Sequence, residues 1–328
     1  MNPSFPPEWQ PLVTDSAEKL RKLALDEDVK ARVQDDPLLK PLFWRIAKRY
    51  VAGETAGDAV ERAADAKVRG HAATVDYMGE SCRDEKAAGA ETEAFLSLIE
   101  ALNERGIRGS VSLDISHLGS LISPDLGFEN TKRIAEAAAA GDREVMISME
   151  GSDRTDTTLD TFYRFYEDLS SEFDNLGITV QARLHRTEGD LLRLLERLGR
   201  IRLVKGAYHE STSIAFARGS EELARAYRGY ATTLLRSGHR CSIATHDRSI
   251  HFDLIDMIRR ESLREHPYEF ECLFGLGTEQ IDDLNRQGHP TREYIVYGSE
   301  WFLYVLNRIA EEPVRLHYAV NDLLSEPS

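Results

Sequence analysis

Two cations three residues apart, Arg202 and Lys205, stand inside an otherwise apolar run, IRLVKGAY (201–208). A charge in a run that reads as buried must be paired or put to use, because removing its water is costly. Two fixed positive charges suit a phosphate or an electron-rich ring, and the plainer alternative is ion pairing with Glu150 or Asp114. Polar residues at the ends of similar runs are Asp114, Ser148, Glu150, Gln181, Tyr208, Thr245, His246 and Tyr294. Other chemistries find less support. A metal-dependent hydrolase would need clustered His and Asp, and only His246 and Asp114 stand at such ends, so no metal site is expected. A dinucleotide signature stops at Gly275 and Gly277, because Gln280 stands where its third glycine belongs. Cys82, Cys241 and Cys272 are odd in number and far apart, and read as reduced packing residues.

The elements that would position these side chains repeat along the chain. Short apolar or β-branched runs are ATVDYM (73–78), GSVSLDI (109–115), EVMISME (144–150), ITVQARL (178–184), IRLVKGAY, CSIATH (241–246), FECLFG (270–275) and EYIVYG (293–298). Between them lie segments of helical period, several ending at glycine. Eight strands alternating with helices predict a parallel sheet. At 328 residues this favours a closed α/β (βα)8 TIM-type barrel over an open doubly wound sheet. Residues 1–70 read as an N-terminal helical cap of the same domain, and 71–328 as the barrel. In such barrels the site is built at the C-terminal ends of the strands, where the polar residues above would gather. The barrel interior itself is expected to be filled by Val, Ile and Leu.

A formal net charge of -15 spreads a negative field that opposes nucleic acid and anionic lipid. No apolar run reaches the roughly 18 to 20 residues of a membrane span, and a cytoplasmic location is expected by default.

Several of these runs together resemble one family. RLVKGAY (202–208), ATH (244–246), MEGSDRTDTTLDTF (149–162), VQARLHRTEGDL (180–191) and YGSEWFLYVLNRIAEEP (297–313), in this order, look like the core motifs of proline dehydrogenases. The likeness runs from about residue 73 to 313. It implies FAD bound non-covalently at the strand ends, with a last helix across the barrel mouth. By the same likeness Gln181 would contact the isoalloxazine, and Arg202, Lys205, Gly206, Ala207 and Tyr208 would hold the flavin ring and its ribityl-phosphate chain. Thr245, His246 and Glu311 would bind the rest of FAD, and Glu150, which matches a glutamate on the third strand, would join the cofactor-binding residues. Arg202, Lys205 and Tyr208 are the expected catalytic group. A cation at the flavin N5 edge stabilises the reduced anionic ring whatever the family.

The substrate half departs from the pattern. The family clamps the substrate carboxylate with a second-strand lysine and two consecutive arginines on the last helix. Here Asp114 stands at the first position and Asn307 and Arg308 at the pair, while Ser148 replaces a third-strand acid. His209 stands where a tryptophan is usual. Leu273, Tyr294 and Tyr304 match residues that line the family's substrate pocket, and Arg308 would still grip a carboxylate. Like charges about 4 Å apart cost about 4 kcal/mol at an effective dielectric near 20, so Asp114 would repel a carboxylate about a thousandfold. The chain is therefore expected to oxidise a small amino or imino acid other than L-proline by hydride transfer to flavin N5, and to pass electrons to a quinone or another acceptor. Compensated drift with L-proline still the substrate, and a weakened FAD-binding accessory protein, remain the alternatives.

Overall fold

The computed structural model describes residues 6–79, 81–169, 174–312 and 314–325. Eight strands, β1 (Ala72–Tyr77), β2 (Gly109–Leu113), β3 (Glu144–Ile147), β4 (Leu176–Gln181), β5 (Ile201–Val204), β6 (Cys241–Ala244), β7 (Tyr268–Leu273) and β8 (Thr291–Tyr297), pair in sequence order. All neighbours run parallel, and β8 returns to β1 to close the barrel. The expected TIM-type barrel is what forms, and the open sheet is excluded. Most strands stop short of the runs read from sequence. The regular ladder ends where the polar residues begin, so Asp114, Ser148, Lys205, Thr245 and His246 sit just past their strands.

The four N-terminal helices are α1 (Gln10–Ala24), α2 (Glu27–Asp35), α3 (Leu39–Ala47) and α4 (Ala56–Val68). After β1 come α5 (Glu85–Glu104), α6 (Pro124–Ala139), α7 (Thr155–Leu169), α8 (Thr187–Leu194), α9 (Glu221–Ser237), α10 (Arg248–Arg260) and α11 (Thr278–Arg286), one after each strand through β7. After β8 come α12 (Trp301–Glu311) and α13 (Arg315–Leu324). The N-terminal helices divide in two. α4 packs on β1 and β8 with Ala59, Val60, Ala63 and Ala66, filling the place in the outer ring that a helix after β8 would take. α12 is thereby released to lie with α1, α3 and α13 in a second apolar cluster around Trp301, Phe302, Val305 and Ile309. Polar ties reinforce this seam: Arg21 donates to the Ala310 carbonyl at 3.2 Å, and Arg49 pairs with Asp322 at 2.5 Å.

The barrel interior corrects the expectation of Val, Ile and Leu. Apolar strand residues such as Val75, Val111, Leu113, Ile178, Leu203, Ile243 and Ile295 belong to the large core cluster that includes the helices of the outer ring. The alternate residues meet inside the barrel as a polar lattice. Arg292 bonds Glu269 at 2.6 Å and Ser110 at 3.0 Å, Ser242 bonds Glu269 at 2.5 Å, and Thr74 meets Ser110 at 2.7 Å. Every charge there has a partner of opposite sign, the condition under which a buried charge is tolerated. Among the described residues no helix is long and apolar enough to cross a membrane.

Candidate active site

Above this lattice opens a cavity of about 2010 Å³, walled by the strand ends, the loops after them and one face of α12. It brings together Asp114, Ser148, Gln181, Arg202, Lys205, Gly206, Ala207, Tyr208, Thr245, His246, Leu273, Tyr294, Tyr304, Arg308 and Glu311 from the sequence reading. Glu150, Asn307 and His209 do not line it. The Glu150 carboxylate turns away to the Ser116 hydroxyl at 2.6 Å and to Arg154. Asn307 lies off the Tyr304–Arg308–Glu311 stripe, whose i, i+4, i+7 spacing sets the one face of α12 that meets the cavity.

Arg202 rises from β5 to the centre of the cavity floor. Its guanidinium donates to Thr179 at 3.0 Å, Ser112 at 2.9 Å and Ser148 at 3.3 Å, meets Glu271 at 3.5 Å, and lies 4.8 Å from the Tyr294 ring centroid. Burial opposes its charge, but Tyr294, Glu271, Asp76 and Asp114 outweigh it, so it stays cationic. Its ion-pair partner is thus Glu271 on β7, not Glu150 or Asp114. Lys205, just past β5, pairs with Asp247 at 2.8 Å. Burial alone would raise the Asp247 carboxyl, yet Lys205 and Ser249 hold it well below the usual range. Asp247 also caps α10 by accepting from the Ser249 and Ile250 amides, which anchors Lys205 to a rigid element.

His246 is partly buried in the wall, and its Nε2 accepts the Leu273 amide at 3.0 Å. Burial first, then Arg315 and Arg308, push its pKa down to about 3, so the ring stays neutral with its proton on Nδ1. It is an orienting group. Across the cavity, Arg308 and Arg315 share Glu311 at 2.6 and 3.3 Å, and the buried Arg308 Nε has no partner among the described residues.

The acids are the least expected part. Asp76 on β1 accepts the Tyr294 hydroxyl at 2.5 Å, and Asp114 lies 3.8 Å from His117 Nε2 and accepts from Ser148. Burial, then Asp114, lifts the Asp76 pKa to about 8, and Asp114 is raised too, chiefly by burial. Asp76, Asp247 and Glu271 escaped the sequence reading. The signal for Asp76 and Glu271 was present, since each is an acid inside a short strand, as Arg202 is a cation inside one.

A flat heteroaromatic cofactor fits this chamber. Gln181 donates from Nε2 to the Glu150 carbonyl at 2.6 Å, leaving its buried Oε1 without a partner and able to accept from a ligand's N–H. Gly206 has φ +109°, and a Cβ there would come within 2.7 Å of that oxygen. Among the described residues no three His, Cys, Asp or Glu side chains gather as a metal site.

A profile described as proline dehydrogenase matches residues 59–312. The chain is 31% identical to proline dehydrogenase 1 of Bacillus subtilis over 282 residues, covering 85% of this chain and 91% of that one. It is 29% identical to the proline dehydrogenase of Deinococcus radiodurans over 299 residues, covering 90% and 96%. Among solved structures, proline utilization A from Bdellovibrio bacteriovorus, inactivated by N-propargylglycine, matches with a TM-score of 0.75 at 17% identity. That match covers 97% of this chain but only 44% of the longer protein, and it concerns the fold. With a profile match across most of its length, the chain belongs to the proline dehydrogenase family, FAD-dependent oxidoreductases that act on CH–NH donors.

Proposed function

We propose that the chain oxidises the C–N bond of a small amino or imino acid to an imine, and that its preferred substrate is not L-proline. The observation that carries the second half is Asp114 lining the cavity beside Asp76, where the family's pattern calls for a lysine. Acids in place of a lysine leave that wall without the positive charge that would hold a carboxylate, and leave Arg308, whose Nε has no partner among the described residues, as the group that grips one.

Gln181, Arg202, Lys205, Gly206, Ala207, Tyr208, Thr245 and His246 would hold FAD along the β4, β5 and β6 ends. When bound, FAD supplies the hydride acceptor, N5. Arg202, fixed by four neighbours, offers a positive charge that need not reorganise during reaction. Leu273, Tyr294 and Tyr304 wall the space between the barrel floor and α12. They would set the substrate C–H bond over the ring and keep water out. No side chain is required as a covalent nucleophile. A quinone or another acceptor would reoxidise the reduced enzyme.

L-proline oxidation is the second reading, favoured by 31% identity across nearly the whole Bacillus protein. Anaerobic titration of the flavin-loaded protein decides between them. Bleaching by another cyclic or acyclic amino acid, with at least about tenfold lower kcat/KM for L-proline, is expected. The Asp114→Lys, Ser148→Asp double variant should move preference toward L-proline. A wild type that prefers L-proline overturns the specificity claim, and a flavin that no amine bleaches overturns the oxidation itself.

A further inference from the structure

Asp76 and Asp114 project from adjacent parallel strands. Asp76 is in register with Ser112, and Asp114 lies two residues further on, just past the end of β2, so both reach the cavity from the same sector of wall. Each is pinned by a neutral donor, the Tyr294 hydroxyl on Asp76 and the Ser148 hydroxyl on Asp114. The nearest fixed cation, Arg202, is committed to Thr179, Ser112, Ser148 and Glu271. Among the described residues no lysine or arginine forms an ion pair with either acid, and His117 approaches Asp114 only to 3.8 Å. The barrel interior below pairs its charges, whereas this sector holds two acids with no fixed cation paired to them among the described residues. Among the described residues, the same cavity holds the buried Gln181 Oε1 on one side and the Arg308 Nε on another without a hydrogen-bond partner, each able to meet a ligand.

These groups form two poles. Arg308 stands on α12, the acid pair stands on β1 and just past β2, and Tyr304 feels both Arg308 and Asp76. We infer that Asp76 and Asp114 together are the specificity element of this enzyme. They bind a second, cationic nitrogen of the substrate while Arg308 takes its carboxylate, so the substrate class is an amino acid carrying an additional basic nitrogen. This rests on the proposed oxidation and deepens it. The upward displacement of both acids agrees with a pair that lacks a positive partner until substrate arrives. A ligand cation there would be partly desolvated and paired at short range, conditions under which such a contact discriminates strongly.

The test uses matched pairs: pipecolate against piperazine-2-carboxylate, and proline against 4-aminoproline, each titrated anaerobically into the flavin-loaded enzyme. The member with the second nitrogen should be preferred by about tenfold or more in kcat/KM. Asp114→Asn and Asp76→Asn should each collapse that ratio toward one, and Asp114→Glu should retain part of it. A wild-type ratio of one or less, or variants that slow both members of a pair equally, overturns the inference even if proline is oxidised. If no compound bleaches the flavin, melting-temperature shifts with the same four compounds read binding alone. A larger shift for the amino-bearing members, lost in Asp114→Asn, supports the acid pair, and equal shifts overturn it.

Discussion

Asp76 shows what one side chain in the wrong solvent does to the whole molecule. Its carboxyl is lifted from 3.8 to about 8 by burial and by Asp114, so the folded protein keeps a proton that the unfolded chain releases. Stability from this group is therefore greatest at acid pH and declines as pH rises from about 4 to about 8. Asp76→Asn removes the titration. In urea unfolding at pH 5 and pH 9, the variant should gain on the wild type by an amount on the order of a few kcal/mol at the higher pH. An equal difference at both pH values would refute the assignment. The residue also marks where sequence reading fell short. Arg202 stood out because a cation inside an apolar run is conspicuous. Asp76 in ATVDYM sits in an equally short run, but its partner Tyr294 is 218 residues away and only barrel closure joins β1 to β8. Gly206 stood out in the sequence as a place of close approach, while Glu150 and Asn307 do not line the cavity, because sequence spacing does not say which way a loop carboxylate turns or which helix face meets the mouth.

At the scale of elements, strand and helix order followed from period, and all eight strands fall within or beside the runs read from sequence. Their ends did not, because polar residues that continue an apolar run look like strand until the register of the neighbour is known. The position of α4 was not legible either. Its Ala59, Val60, Ala63 and Ala66 stripe predicts a buried helix but not that it seals the wall between β8 and β1. α4 starts at a capping box, with the Thr55 hydroxyl accepting the Asp58 amide and Asp58 accepting the Thr55 amide. Because this helix closes the ring, Thr55→Ala should lower stability by about 1 kcal/mol, seen as a lower melting temperature with FAD present. A melting point unchanged within error would show that the wall does not depend on that cap.

At the scale of the molecule, two kinds of interior coexist. Apolar side chains pack between sheet and helices, and a polar lattice fills the barrel's own axis. Glu269 is central to the second, held below the usual carboxylate range because Arg292 and Arg200 outweigh its burial. It meets Arg200 at 3.0 Å and Arg292 at 2.6 Å. Glu269→Ala leaves Arg200 and Arg292 to share Glu144 alone, at 3.0 and 3.6 Å. The expected loss is about 3 to 5 kcal/mol, read as a shifted urea midpoint, with the flavin spectrum of the surviving folded fraction unchanged. A neutral result would mean that the lattice is hydrated and exchangeable.

The substitution of α4 for a helix after β8 also sets the order in which the chamber can be finished. On a nascent chain the wall helix is synthesised before the first strand, whereas α12, which carries Tyr304, Arg308 and Glu311, emerges after the last. The ring can therefore close with its top still uncovered. Until α12 docks on α1 and α3, the strand ends and their loops lack that cover, so completing the roof is a step separable from closing the ring.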